Sequence, residues 1–243
     1  MFISTETHLI LFFKFFMILG IIPARSNSKR ILNKNIKNFY GKPIISYAIK
    51  SAINSKIFDK IIVSTDSEKI GLIAQKYGAE YLFKRPKRLS GDHIWPSQVV
   101  DHAISWIEEK FVKPKLICCI YPTTPLLLPS DIIDSYKMIK NSKFYYVFSA
   151  VKNSYPIQRS FCLDINKNIR MINKKLFYKR SQDLKETYHD AGQFYWGTYD
   201  AWRKKKIIFG GNSKIYLMPQ LRSQDIDTMD DWYIAEKLFR LLD

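Results

Sequence analysis

Met17-Ile-Leu-Gly-Ile-Ile22-Pro23-Ala24-Arg25-Ser26-Asn27-Ser28-Lys29-Arg30 is an apolar run that breaks abruptly into a polar, cationic turn. Its first six residues show no polar alternation, which predicts a strand buried on both faces, as in parallel sheets. Four cations, Arg25, Lys29, Arg30 and Lys34, fall within the ten positions 25–34 that follow. A buried strand opening into small polar residues and cations suits a triphosphate: backbone N–H groups line the turn while Arg and Lys neutralise charge. Open α/β sheets place ligands at this carboxyl edge of their strands. The turn is not a Walker loop, because Gly41-Lys42 is followed by Pro43, and it holds no GxGxxG. ATPase and dehydrogenase readings are weakened accordingly.

Working outward, apolar β-rich runs alternate with helical patterns, as in a Rossmann-like, doubly wound α/β fold with a mostly parallel sheet. Strands are expected at Met17–Ile22, Lys60–Thr65, Ala79–Phe83, Leu116–Tyr121 and Tyr145–Val151. Helices are expected at Pro43–Asn54, Ser67–Tyr77, Pro96–Lys110 and Pro129–Asn141. From about 154 to 185 the alternation lapses into a hairpin-like Asp164–Ile169 and an irregular basic stretch. This segment is expected to be an inserted lobe that covers a site or joins subunits. Sheet pattern returns at Gln193–Tyr199 and Lys214–Met218, and Thr228 with Asp231 predicts the N-cap of a last helix, Met229–Leu241.

The chain has 243 residues, 47% of them hydrophobic and 15% aromatic, with 9 Gly and 10 Pro, which excludes disordered and collagen-like classes. Lys and Arg (39) outnumber Asp and Glu (22), a net charge of +17. The cations are dispersed, without polybasic runs or nucleic-acid motifs, so no nucleic-acid partner is expected. Cys118 and Cys119 lie in an apolar run and Cys162 stands apart. Without metal spacing, they read as structural thiols of a reducing compartment, the cytoplasm. Residues 8–22 are interrupted by Lys14 and preceded by Glu6, which argues against a signal peptide or membrane anchor. Translation is expected to start naturally at Met17, with residues 1–16 an upstream extension and 17–243 the catalytic domain.

A second constellation is Gln224-Asp225-Ile226-Asp227-Thr228. Alternate residues of an extended segment share a face, so Asp225 and Asp227 can converge on one hard cation. An acidic pair of this kind is commonly a helix cap or a solvated pair. Its weight comes from combination with the phosphate loop.

Together these segments resemble a known family. Ile22-Pro-Ala-Arg25-x-x-Ser28-Lys29-Arg30 with Lys34-Asn35-Ile36, then Gly41-Lys42-Pro43, Val63-Ser64-Thr65-Asp66, Arg85-Pro86, Tyr121-Pro122-Thr123-Thr124-Pro125 and Asp225-Ile226-Asp227-Thr228-x-x-Asp231-Trp232 occur in the order of the CMP-sialic-acid synthetases, the acylneuraminate cytidylyltransferases. Arg180-Ser181-Gln182-Asp183 and Tyr188-His189-Asp190-Ala191-Gly192-Gln193-Phe194-Tyr195-Trp196-Gly197 are most similar to the branch acting on pseudaminic acid.

The resemblance implies that CTP and a nonulosonic acid give the CMP-sugar and pyrophosphate, with Mg²⁺, in a homodimer. It implies that Arg25, Ser28, Lys29 and Lys34 hold the triphosphate, with Arg25, Lys29, Lys34 and Asp227 catalytic. It places Asn35 and Arg85 at the nucleoside, Asp225 and Asp227 at the metal, and Arg180, His189, Gln193 and Tyr195 at the sugar. Relatives usually carry two glycines at Ser26-Asn27, so either Asn27 adopts a left-handed turn or the loop is altered. Tyr121 stands where sialic-acid enzymes often have Gln.

Two bland readings stand beside these. His189, next to Asp190, suits an orienting hydrogen bond as well as a proton shuttle, and Arg159 and Arg222 suit surface ion pairs as well as a sugar carboxylate. Rival functions are CMP-activation of N-acetylneuraminic, legionaminic or 3-deoxy-manno-octulosonic acid, a glycosyltransferase, or a membrane-associated basic binding protein.

Overall fold

The computed structural model describes residues 17–242. The expectation of a dispensable extension before Met17 lies outside the described residues. Strand β1 (Met17–Pro23) sits between β2 (Lys60–Ser64) and β3 (Pro114–Ile120), parallel to both. Beyond β3 come β7 (Tyr188–Thr198), β4 (Tyr146–Lys152) and β8 (Ser213–Leu217), giving the order β8-β4-β7-β3-β1-β2. Only β7 runs antiparallel, so the doubly wound, mostly parallel reading holds.

Burial on both faces explains why β1 needed no alternation. Leu19 and Ile21 pack with Val100, Ile104 and Ile107 of α3 (Pro96–Lys110). Ile22 packs on the opposite face with α1 (Ile45–Ser55) and α4 (Pro129–Ile139). Gly20 takes part in that contact, since a β-carbon there would come within 3.3 Å of the Phe58 ring. Helix α2 (Glu68–Lys76) is capped by the Ser67 side chain and closed by Gly78 at φ +99°.

In place of the expected strand Ala79–Phe83 there are only isolated bridges, Glu80 to Ile62 of β2 and Lys84 to Thr65 just after it. The ladder lapses between them because Tyr81 turns onto Gly71 of α2 while Phe83 turns onto His102 and Trp106 of α3. Strand β7 begins at Tyr188, five residues before the expected Gln193. Its pairing with β4 shifts register between Phe148 and Ala150, opposite Gly192 at φ +61°, so a bulge separates the expected segment from the five strand residues before it.

Between β4 and β7 the chain makes a small hairpin, β5 (Phe161–Leu163) and β6 (Ile169–Met171), outside the main sheet. Asp164 closes it by accepting from the Asn166 and Asn168 amides. After β7 come α5 (Tyr199–Arg203), β8 and α6 (Met229–Phe239). Thr228 and Asp231 form the expected reciprocal cap of α6. No helix among the described residues is long and apolar enough to cross a membrane.

Candidate active site

The sheet order changes direction at β1. Its first crossover leads to β2 on one side and the next strand, β3, returns on the other, leaving a crevice at the carboxyl ends of β1 and β3. A cleft of about 550 Å³ occupies that position, lined by Arg25, Ser28, Lys29, Lys34, Asn35, Arg85 and Asp227. Six residues expected at the nucleotide and one expected at the metal therefore meet in one place. Asp227, some 200 positions from Arg25, shares its wall.

The loop after β1 is held from behind. Asn35, buried, donates through Nδ2 to the Arg25 carbonyl at 2.8 Å, and so fixes the turn that aims Arg25. Ser26 donates its N–H to Asp66 Oδ1 at 2.8 Å and its hydroxyl to Oδ2 at 2.6 Å. Neither Ser26 nor Asn27 has a positive φ; the one left-handed residue between 24 and 36 is Asn33, at 53°. Of the two alternatives left by the missing glycines, the altered loop is the one realised. A serine–carboxylate tie takes the place of glycine torsions.

Burial disfavours the charged form of Asp66, but the two Ser26 hydrogen bonds and the nearby Arg85 outweigh it and hold the carboxyl below its ordinary value. Arg85 is almost fully buried, with Asp66 at 3.6 Å, within ion-pair range but beyond a hydrogen bond. Its Nε and Nη2 are buried without a hydrogen-bond partner, and the residue itself lines the cleft. Burial depresses its pKa, Asp66 opposing. Buried donors without partners are costly, and a ligand acceptor in the cleft would satisfy them.

The acidic pair alternates as its spacing requires. Ile226 is fully buried among Phe39, Ile44 and Trp232, which turns Asp225 and Asp227 outward. Burying Ile226 contributes about 2 kcal/mol, more than the ~1 kcal/mol that two neighbouring carboxylates cost in contact with water. Asp227 Oδ1 accepts from Arg30 at 2.9 Å and Lys34 at 3.2 Å, while Lys34 also donates to the Ile226 carbonyl at 2.6 Å. Asp225 lies against Gly192, where any β-carbon would meet its carboxyl group at 3.3 Å. Although it touches solvent, surrounding protein and the charge of Asp227 raise its pKa, with Lys34 working the other way.

The fit to Mg²⁺ rests on this chemistry: two crowded hard-oxygen donors, one raised by its anionic neighbours, next to cations suited to phosphate. Among the described residues no group of three or more His, Cys, Asp or Glu side chains is placed to hold an ion. Mg²⁺ characteristically takes one or two carboxylates and completes its octahedron with phosphate oxygens and water, so a pair fits.

The residues expected at the sugar are less collected. Gln193 is buried beside the Ala191 and Gln224 carbonyls, with Oε1 lacking a partner. Tyr195 donates to Asp190 and reaches Tyr121, which lines the cleft. His189 bonds Asn153 Oδ1 through Nδ1 at 2.8 Å and lines a neighbouring groove with Phe148 and Phe209. Arg180 stays out of the cleft: it projects from the segment after the hairpin and makes a two-point pair with Asp183. Arg222 grips buried Asp131, and Arg159 contacts Ser181.

Two contributors escaped sequence reading. Asp92 places one oxygen 2.7 Å from Arg25 and the other 2.7 Å from Lys29, between the two cations meant for phosphate. Those cations lower its pKa, Lys29 foremost. Its only signal was a lone acid following the basic run Lys84–Arg88. Asp66 stood in a quoted motif without a role.

Fold and site define a nucleotide-binding α/β transferase. Residues 19–231 match the cytidylyltransferase family. The chain is 42% identical to a pseudaminic acid cytidylyltransferase of Campylobacter jejuni, over 92% of this chain and 96% of that one. It is 32% identical to the N-acylneuraminate cytidylyltransferase of Escherichia coli, over 90% of this chain and 51% of that one. It is 30% identical to a CMP-N,N'-diacetyllegionaminic acid synthase of Legionella pneumophila, over 92% and 97%. In fold it is similar to a CMP:2-keto-3-deoxy-manno-octonic acid synthetase complexed with CTP, with TM-score 0.69, 14% identity, and 93% of this chain and 100% of that one covered. This chain belongs to the cytidylyltransferase family, and is a nucleotidyltransferase.

Proposed function

We propose that the protein transfers CMP from CTP to a nonulosonic acid, pseudaminic acid, with release of pyrophosphate. The carrying observation is the meeting of the Arg25–Lys34 cations with Asp227 in one cleft. The anomeric hydroxyl of the sugar attacks the α-phosphorus and the bond to the β-phosphate oxygen breaks, so negative charge grows on the leaving pyrophosphate. Arg25, Lys29 and Lys34 are placed to stabilise that charge, which is where preorganised cations contribute most to rate. Arg85 offers its open donors to the nucleotide, and Asn35 and the Ser26–Asp66 tie keep the loop shaped for it. Asp225 and Asp227 would hold Mg²⁺, which when bound polarises phosphate oxygens.

Pseudaminic acid is preferred over the other acids because of the 42% identity to an enzyme of that name. The working unit is proposed to be a homodimer in the cytoplasm. The lobe supports the dimer, because it exposes Phe161, Leu163, Ile165, Ile169 and Ile172 together on a short hairpin and its flank. The buried, unbridged Cys118 and Cys119 fit a reducing compartment. CTP and the sugar acid are the partners in this reading, without nucleic acid or membrane.

The test is incubation with CTP, Mg²⁺ and pseudaminic, legionaminic or N-acetylneuraminic acid, following pyrophosphate. Sugar-dependent release fastest with pseudaminic acid is expected. Release that ignores the sugar, or no release with any of the three, contradicts the proposal.

A further inference from the structure

Behind the acidic pair, one buried carboxylate ties together segments that reach the cleft. Asp131 lies in the first turn of α4 and is 1% exposed. Its Oδ2 accepts the Leu128 amide at 2.9 Å, at the end of the stretch after β3 that brings Tyr121, Pro122 and Thr123 to the cleft. Its Oδ1 accepts the Tyr216 hydroxyl of β8 at 3.0 Å and Arg222 Nη2 at 2.9 Å, while Arg222 Nη1 donates to Oδ2. The guanidinium thus meets the carboxylate at two points, a fork that fixes direction as well as distance.

What Arg222 holds is the approach to Asp225, three residues on. Residues 223–227 carry neither helix nor strand, so side chains must position them. On the far side the anchors are fully buried Ile226 and the Thr228–Asp231 cap, which also binds the Asp227 amide at 3.1 Å. On the near side Gln220 makes neutral, exposed bonds to the Lys152 carbonyl and Ser154 Oγ, both at 3.0 Å, whereas Arg222 is mostly buried and charged. Asp225 stands between the two anchors, its carboxyl group crowded by Gly192. Slack at the near anchor would reach Asp225 before Asp227.

We propose that Asp131 and Arg222 are positioning residues for the divalent-cation site, and that their buried fork sets where Asp225 stands relative to Asp227. This rests on the reading of the acidic pair as Mg²⁺ ligands. A pair that only fastened α4 to β8 would make every bond to Asp131 equivalent, and Tyr216 supplies that comparison.

The experiment applies CTP calorimetry with and without Mg²⁺, and hydrogen exchange of the metal-free protein, to two variants. Asp131→Asn combined with Arg222→Met removes the fork without stranding a buried charge. Tyr216→Phe removes a bond to the same carboxylate and keeps the fork. In the double variant the Ser223 amide, bonded to the Gln220 carbonyl at 3.3 Å, should exchange roughly tenfold faster, with the Asp227 amide near wild type. Its Mg²⁺-dependent tightening of CTP should shrink by about fivefold or more, and CTP binding without Mg²⁺ should stay within about twofold. Tyr216→Phe should keep wild-type exchange and Mg²⁺ dependence even where its melting temperature falls.

Equal losses in the two variants, or wild-type exchange and Mg²⁺ dependence in the double variant, overturn the proposal. Wild-type protein whose CTP binding ignores Mg²⁺ would instead remove the metal reading beneath it. Should the double variant not fold, Arg222→Lys takes its place, since it keeps the charge but not the two-point grip. Exchange and Mg²⁺ dependence should then move the same way by about two- to threefold, and wild-type values in both overturn the proposal.

Discussion

The nucleotide end and the sugar end of this molecule are built differently. At the nucleotide end, cations and carboxylates follow β1 and β2 and precede α6, each element anchored in a core cluster, and their contacts join segments far apart in the chain. Lys34 reaches Asp227 and Ser26 reaches Asp66. At the other end, the lobe between β4 and β7 satisfies its polar groups internally. Arg180 pairs with Asp183 three residues on, Arg170 with Asp164 six residues back, and the apolar side chains face outward. A catalytic charge must be held by something that does not move with it, and only the first region meets that condition within one chain.

Five substitutions break or sharpen this contrast, in descending order of effect. Asp227→Ala removes the carboxylate shared by Arg30 and Lys34 and should reduce turnover roughly a thousandfold or more. Circular dichroism and thermal melting should stay near wild type, because Ile226, not Asp227, holds the segment. Arg25→Ala should raise the CTP KM by roughly ten- to a hundredfold, the range for a charged hydrogen bond to phosphate, with a smaller effect on the sugar KM.

Asp66→Asn tests the altered loop. Losing the paired Ser26 bonds should raise the CTP KM roughly tenfold and lower stability at neutral pH. The folded-state pKa of Asp66 is depressed, so its contribution is present above the unfolded value and is lost as pH falls through the folded one. The stability gap between wild type and variant, measured by urea denaturation, should therefore close below about pH 4. Asp92→Asn should act in the opposite sense: with its charge withdrawn from between Arg25 and Lys29, the CTP KM should fall by about two- to fivefold. A rise would mean that Asp92 aims those cations rather than competing for them. Arg180→Ala should leave both KM values within about twofold, as exposed ion pairs usually do. A larger loss, confined to the sugar KM, would bring the lobe into the site through a second copy.

The same contrast explains what could be read from sequence. Helix α3 was legible to the residue because Pro96 opens it and its apolar positions recur at helical spacing. Strand β1, the loop cations and the acidic pair were legible because each is a local pattern whose chemistry is carried by residue type. Strand β7 lost its first five residues to the Gly192 bulge, which breaks the period of two that marks a strand. Asp92 was invisible because nothing within its own loop says which cations it meets. Arg180 was misplaced for the converse reason: its charge suggested a ligand, while an equally local partner already answered it. Asn35, expected against the nucleoside, lines the cleft and has a second task that the sequence did not show: its Nδ2 donates to the Arg25 carbonyl and holds the loop.

The central claim is that loop cations and the acidic pair act on one triphosphate through a shared divalent ion. Calorimetric titration of CTP into wild-type protein and into Asp227→Ala, with and without Mg²⁺, tests it most directly. The account predicts that Mg²⁺ tightens CTP binding to wild type at least tenfold and leaves Asp227→Ala unchanged. Equal dependence on Mg²⁺ in both proteins would contradict it.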